Sequence, residues 1–403
     1  MERSPLAPPV FPAMSLPAGL RLATAASGMK YQGRDDLLLM EFCEGTTLAG
    51  IFTKSATASA AVLSSREIVA GGYIRALLVN AGNANAFTGQ VGDEAVATLT
   101  SALAAKLHVP KTQIATSSTG VIGEPLDTTC LISQFEALTT AGTASWEEAA
   151  NAIRTTDTFA KGASITCDIA GETVTISGIA KGSGMIAPDM ATMLAFIVTD
   201  AAIAPAALQK ACARAGDRSF NAITVDSDTS TSDSVYLAAT GQGTSVTSEA
   251  DLEIFQQALQ TVMQDLAIQI VRDGEGASKL ITIDVTGAVS DASAHRIGLA
   301  IGNSPLVKTA IAGEDANWGR IVMAVGKAGE PADRDKLDIA IGGHHITQGG
   351  QRRPDYDEAP VAAHMTSDEI HIAVDIGLGT GTARIWTCDL THGYITINAD
   401  YRS

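Results

Sequence analysis

One stretch of the chain combines residue types that could carry acyl chemistry. It runs Lys181-Gly-Ser-Gly-Met-Ile-Ala-Pro-Asp-Met-Ala191-Thr192-Met-Leu-Ala-Phe-Ile-Val198. A cation and flexible glycines lead into a Pro-Asp turn. Ala191 then precedes Thr192, and a buried strand is expected over Met193–Val198. A threonine hydroxyl is a weak nucleophile unless an adjacent base removes its proton. A cut before Thr192 places a new α-amino group beside that hydroxyl. Its unperturbed pKa of about 7.7–8 suits a general base near neutrality. The cut can be self-catalysed: the Thr192 hydroxyl attacks the Ala191 carbonyl, an N→O acyl shift follows, and water releases the ester. The small Ala191 leaves room for that attack. Taken alone, the same stretch is read first as a glycine-rich loop feeding a core strand.

Other motifs fall away on chemical grounds. Gly377-Leu-Gly379-Thr-Gly381 follows a predicted strand, but a dinucleotide fingerprint requires a helix next. Here Thr382–Leu390 alternates like another strand, so a glycine-rich turn between strands is expected. Asp226-Ser-Asp228-Thr-Ser230 opens like a calcium loop. Its sixth position is Thr231 instead of Gly and its twelfth is Leu237 instead of Glu, against the pattern of such loops. His344-His345 has no Cys or carboxylate at ligand spacing after it, so two solvated loop histidines are expected. No G-x-S-x-G elbow is present. The sequence calls for no metal and no organic cofactor.

The elements that must position these residues alternate irregularly. Short strand-like runs dominate the first ninety residues, as at Leu37–Cys43, Leu48–Thr53 and Ile74–Asn80. An amphipathic helix follows, with Val96, Leu99, Leu103 and Leu107 on one face and Pro110 beyond its end. Helical patterns recur around 128–138, 146–154 and 204–215. Another spans 250–272, with Leu252, Phe255, Leu259, Val262, Leu266 and Ile270 at spacings of three and four. Strands are predicted at Ala163–Ile169, Val174–Ile179, Leu280–Val285, Leu337–Ile341 and Ile370–Asp375. The stretch 344–366 is the least periodic and reads as a surface loop. Mixed strands and helices without a regular βαβ rhythm point to an α+β or layered α/β sandwich. No internal repeat or low-complexity linker is found.

Composition narrows the function classes. The 403 residues hold 27 Lys+Arg against 44 Asp+Glu, a formal charge of −17. That excess of acid argues against a nucleic-acid groove or a polybasic membrane surface. The five cysteines, Cys43, Cys130, Cys167, Cys212 and Cys388, are widely spaced without C-x-x-C. A reducing compartment fits better than a disulfide framework. No apolar run of about 18 residues predicts a membrane-spanning helix. Prolines interrupt the N-terminal stretch where a signal peptide needs an apolar run, so a cytoplasmic protein is expected.

From about Leu20 to Ser403 the chain resembles the glutamate N-acetyltransferase (ornithine acetyltransferase) family of arginine biosynthesis. The resemblance rests on Gly33-Arg-Asp-Asp36, Val79-Asn-Ala-Gly-Asn-Ala-Asn85, Ser117-Ser-Thr-Gly-Val-Ile-Gly123, Thr155-Thr-Asp-Thr158 and Lys181-Gly-Ser-Gly-Met185. It continues through Ala191-Thr-Met-Leu194, Asp273-Gly-Glu-Gly276, Glu314-Asp-Ala-Asn-Trp-Gly-Arg320 and Ile397-Asn-Ala-Asp-Tyr-Arg-Ser403. Each motif alone is weak to moderate; their order and spacing together are specific.

The resemblance implies an α/β sandwich of the DmpA/ornithine acetyltransferase type, with a main domain over 1–280 and a smaller C-terminal α/β domain over 281–403. It implies cleavage between Ala191 and Thr192 into an α chain (1–191) and a β chain (192–403), associated as α2β2 or larger. Thr192 then carries the acetyl group, and Thr119 and Gly120 form the oxyanion hole. Thr158, Lys181, Thr192, Glu275, Asn398 and Ser403 correspond to substrate-binding positions. The substrates implied are N2-acetyl-L-ornithine and L-glutamate. Some members also take acetyl from acetyl-CoA, which the resemblance admits as a second donor. No cofactor, nucleic acid or membrane is implied. The chain departs from the family pattern at Ser227, where Gly is usual, at Ser232, where Asn is usual, at Phe87, where a smaller residue is common, and at Lys54-Ser55 and Ala61. Two other readings use the same residues. One is an N-terminal-nucleophile amidase or aminopeptidase with water as acceptor. The other is an inactive, uncleaved homologue that binds or regulates. The Thr192 segment, Glu275 and the Asn398/Ser403 ending favour the transferase.

Overall fold

The computed structural model describes residues 2–187 and 193–399. The chain forms two compact units. The larger comprises Pro9–Asn221 and Asp228–Ile270; the smaller comprises the residues up to Pro8, Ala222–Ser227 and those from Val271 onward.

In the larger unit, strands β1 (Leu20–Ala25), β2 (Leu37–Phe42), β4 (Ala76–Asn83) and β5 (Ile114–Val121) form a four-stranded sheet in the order β1-β2-β4-β5. Strands β3 (Thr47–Phe52), β6 (Lys161–Ile169), β7 (Glu172–Lys181), β8 (Leu194–Thr199) and β9 (Ser234–Ala239) form a second sheet in the order β3-β9-β8-β7-β6. Leu22, Leu38, Met40, Leu77 and Val79 of the first sheet pack against Ile179, Leu194, Phe196, Val198 and Tyr236 of the second. The opposite face of the first sheet carries Leu37, Leu39, Leu78 and Ile114, which meet Leu99, Leu103, Leu131 and Phe135 from helices. Every residue of β4 and β8 is buried, as expected for strands covered on both faces. Helix Pro205–Asp217 covers the outer face of the second sheet, where Gly216 lies against Ile51 and Met263. Helices therefore flank two stacked sheets, a layered α/β sandwich. Tyr236 ties the layers together. Its hydroxyl accepts from Ser117 Oγ at 3.3 Å and donates to the Thr116 carbonyl at 3.1 Å.

The smaller unit is built on β10 (Leu280–Ala288), β11 (Asp338–Ile341) and strands Glu369–Asp375 and Gly381–Cys388. The order is His344–His345, β11, Glu369–Asp375, β10, Gly381–Cys388. Gly377 turns between the last two strands with a φ of 66°, so the glycine-rich segment is a strand-to-strand turn. His344 and His345 are exposed. Among the described residues, no helix is long and apolar enough to cross a membrane.

Two expectations need correction. The stretch 344–366 is not a loop throughout: helix Glu358–Met365 forms there, with the Asp357 side chain accepting from the Ala359 amide. Only Val361 and Met365 bury a face, too short a pattern to show periodicity. The first ninety residues also hold helix Ala60–Gly71, which the Ser59 side chain caps by accepting from the Val62 amide.

Candidate functional site

The register of the second sheet sets out one end of the larger unit. Lys181 pairs with Leu194, Leu194 with Ser234, and Ser234 with Phe52. One row thus aligns the last residue of β7 with the starts of β8 and β9. Lys181 is 2% exposed, and its Nζ donates to Thr119 Oγ1 at 3.3 Å. An ammonium group only donates, so the Thr119 oxygen accepts here and keeps its own proton for another partner. The sequence-predicted Thr119, Gly120 and Lys181 are brought together.

Gly120 is dictated by its surroundings. Its φ is 134°, a region that side chains disfavour, and the Gly82–Asn83 end of β4 leaves no room for a Cβ before the chain turns. That turn is built by the asparagines of Val79–Asn85. Ser118 Oγ donates to Asn80 Oδ1 at 2.7 Å, Asn80 Nδ2 donates to the Asn83 carbonyl at 2.9 Å, and the Asn85 amide donates to Asn83 Oδ1 at 2.7 Å. The register of β4 against β5 shifts at this point, between Gly82 and Asn83. These side chains support the Thr119–Gly120 end of β5 where the shift interrupts the ladder.

Thr158 stands half-buried in the loop before β6. Its neighbour Asp157 pins that loop to the end of β7. Asp157 Oδ1 accepts from the Gly182 amide at 2.6 Å and from Lys161 Nζ at 2.7 Å, and Oδ2 accepts from the Thr155 amide at 3.1 Å. Thr156 and Ser183 hydroxyls meet at 2.7 Å. Lys161 and Asp157 side chains are fully buried. Burial by itself would raise the Asp157 carboxyl, but the Lys161 and Lys181 charges and the Lys161 and Gly182 hydrogen bonds outweigh it and hold it well below the usual carboxylate range.

Asp233, at the start of β9, behaves in the opposite way. It is fully buried. Burial pushes its carboxyl well above the ordinary range, and the Met193 amide and Lys181 charge offset only part of that. Two buried cations, Lys161 and Lys181, thus stand beside Asp157. Such a surrounding favours a developing oxyanion or a substrate carboxylate.

In the smaller unit, Glu275 and Asn398 are brought together: Asn398 Nδ2 donates to Glu275 Oε2 at 2.9 Å. Asn398 lies on helix His392–Ala399, which sits directly on the Asp273–Gly276 turn. Thr391 Oγ1 donates to the Gly276 carbonyl at 2.6 Å, and Tyr394 Oη donates to Asp226 Oδ2 at 3.3 Å. Ala191, Thr192 and Ser403 lie outside the described residues.

Asp157, Lys161, Asp233 and the asparagines were not singled out by sequence reasoning as individual site residues. Asp157 and the asparagines fall inside the motifs quoted above. Asp233 falls in the segment weighed only as a calcium loop, although an acid amid Ser and Thr just before an apolar run is a readable signal. Of the departures, Ser227 adopts a φ of 68° and Phe87 one of 56°, and Phe87 is 82% exposed.

The chain is 55% identical over 406 residues to the arginine biosynthesis bifunctional protein ArgJ of Gluconobacter oxydans (strain 621H), covering 99% of this chain and 95% of the relative. It is 54% identical over 404 residues to the protein of the same name from Zymomonas mobilis subsp. mobilis, covering 99% of both. Among solved structures, the arginine biosynthesis bifunctional protein ArgJ of Bacillus halodurans is 43% identical with a TM-score of 0.49, over 51% of this chain and 98% of that one. The ArgJ family model matches residues 21–403, and the chain belongs to the ArgJ family.

Proposed function

We propose that the chain is an acetyltransferase of arginine biosynthesis that moves acetyl from N2-acetyl-L-ornithine to L-glutamate. The reaction is ping-pong. Thr192, made N-terminal by cleavage after Ala191, attacks the acetyl carbonyl and ornithine leaves. Glutamate then takes the acetyl group from Thr192. The Thr192 α-amino group removes the hydroxyl proton and returns it to the leaving amine.

The observation that carries this reading is the Lys181–Thr119–Gly120 arrangement. Attack on an acetyl carbonyl creates an oxyanion that needs donors fixed in advance. Lys181 orients Thr119 so that its hydroxyl proton points elsewhere, and Gly120 admits a close backbone approach. Thr158 and Lys181 are assigned to the substrate carboxylate, and Glu275, Asn398 and Ser403 to amino-acid recognition. The names of the relatives, all "bifunctional", support acetyl-CoA as a second donor. The processed α (1–191) and β (192–403) chains stay associated because β7 and β8 are hydrogen-bonded neighbours in one sheet. The assembly is α2β2, and the place of work is the cytoplasm.

The test is intact mass followed by an acetyl-transfer assay. Two fragments, the second beginning at Thr192, and transfer that depends on glutamate are the expected results. An uncut chain without transfer, or acetylornithine hydrolysis equally fast without glutamate, would overturn the reading.

A further inference from the structure

Arg34 joins two parts of the candidate site. It lies on the loop between β1 and β2, and Asp36 anchors that loop. The Asp36 side chain is fully buried and accepts from the Ser27 amide at 2.6 Å and the Ser27 hydroxyl at 2.8 Å. The Asp36 carbonyl accepts from the Ala81 amide at 2.9 Å. The loop lies over the end of β4: a Cβ built on Gly82 would fall 3.0 Å from Lys30 Cβ and 3.3 Å from Tyr31 Cε2. Gly82 is also the backbone that Gly120 abuts. The Arg34 guanidinium stacks on the Tyr31 ring, 3.8 Å from its centroid. Its Nη2 donates to the Arg154 carbonyl, and Arg154 Nη1 donates to the Asp157 carbonyl at 3.5 Å. One guanidinium thus links the Gly82–Gly120 contact to the loop that carries Thr158.

These partners do not neutralise Arg34, because a ring face and a carbonyl carry no net charge. The acids next to it in the chain are engaged elsewhere, Asp36 with Ser27 and Asp35 with the Thr24 hydroxyl at 2.5 Å. Among the described residues no carboxylate pairs with Arg34, and its buried Nε has no hydrogen-bond partner. A buried, unmet donor on a charged group is costly, and a guanidinium fork matches a carboxylate. In a chain of formal charge −17, a cation left without an acid beside a site selects for anions.

Donor and acceptor in the proposed reaction share an α-carboxylate and differ in side-chain charge. Ornithine ends in an ammonium group and glutamate in a carboxylate. Thr158 and Lys181 are assigned to the group they share, so the carboxylate peculiar to the acceptor requires a further cation. We infer that Arg34 binds the side-chain carboxylate of the acceptor and so sets the preference for glutamate. This rests on the acetyl-transfer reading given above.

The test varies the acceptor. With acetylornithine as donor, kcat/KM is measured for glutamate and for glutamine, which has the same shape and no side-chain charge. The wild type is expected to favour glutamate, and Arg34→Met is expected to lower the glutamate-to-glutamine ratio about 10–100-fold. A variant in which both rates fall by one factor acts through structure alone and overturns the inference, as does a wild type that takes glutamine as readily as glutamate. A wild type that transfers acetyl to neither acceptor overturns the acetyl-transfer reading, and the inference with it. If Arg34→Met does not fold, phenylglyoxal labelling of the wild-type enzyme decides, with the modified arginine located by peptide mass. Glutamate is expected to shield Arg34 and glutamine to leave it reactive. Equal shielding by both, or by neither, overturns the inference.

Discussion

A Cβ built on Gly120 would fall 2.2 Å from the Gly82 carbonyl carbon and 2.5 Å from the Asn83 nitrogen. Two backbones meet there with nothing between them, and both neighbours are main chain, which cannot swing aside. The φ of 134° at Gly120 adds to the constraint. Gly120→Ala is therefore expected to push β5 off the β4 turn. We expect a stability loss of about 2–5 kcal/mol from strain and overpacking, read by urea unfolding, and a transfer rate lowered at least as far as any loss of Thr119 produces. Wild-type stability and rate would show that the turn can open without cost.

Thr119→Val isolates the hydroxyl. The substitution preserves shape on a buried strand end and removes only the oxygen that accepts from Lys181. Loss of one oxyanion donor costs about 10²–10³ in kcat. Steady-state kinetics should show that fall with KM nearly unchanged, and Thr119→Ser should recover most of it. A raised KM with kcat intact would place Thr119 in substrate binding instead.

Asp157 and Lys161 form a pair in which neither side chain is exposed. Removing one partner of such a pair typically costs about 3–5 kcal/mol, because the other charge is left buried alone. Asp157→Asn should lower stability by that order at neutral pH. Its carboxyl is held below the ordinary range, so the folded state binds fewer protons than the unfolded one as pH falls through about 4. The stabilisation is thus fully present above that unfolded value and is lost as pH falls through the lower folded one. Unfolding curves for wild type and variant should stay apart from pH 7 down to about 5 and converge only below about 4. A gap that closes between pH 7 and 5 would assign it to another group.

Strong periodicity was legible in the sequence, and so was the part of the site that lies in contiguous motifs. Helix Glu249–Arg272 announces itself through Leu252, Phe255, Leu259, Val262, Leu266 and Ile270. Strand β8 follows from the unbroken apolar run Met193–Val198, covered on both faces. Helix Glu358–Met365 did not show, because two buried residues make no period. The electrostatics of the site were the least legible. Asp157 meets Gly182 across 25 positions and Asp233 meets Met193 across 40. Only sheet register brings such residues together, and register is a tertiary property.

Gly276 carries the C-terminal helix. Its φ is 74°, and a Cβ there would lie 2.4 Å from the Tyr394 nitrogen and 2.6 Å from the Gly393 carbonyl carbon. Gly276→Ala should lift helix His392–Ala399 and part Asn398 from Glu275. Limited proteolysis should then cut near 390–399 in the variant and spare the wild type, while KM for the amino-acid substrates rises more than tenfold. Unchanged KM with the helix lifted would remove Asn398 from substrate recognition.

Ser227 tests a departure from the family pattern. It holds a φ of 68°, in the left-handed region, where a residue with a Cβ pays about 1–2 kcal/mol. Its hydroxyl donates to the Asp226 carbonyl at 2.5 Å, and that bond recovers part of the cost. Glycine adopts the same backbone without strain but loses more chain entropy on folding, about 0.4–1 kcal/mol. The balance favours glycine. Ser227→Gly is expected to stabilise the protein by up to about 1 kcal/mol, seen as a higher urea midpoint at an unchanged slope. A lower midpoint would mean that the Ser227 hydrogen bond outweighs the backbone strain and that serine stabilises this turn.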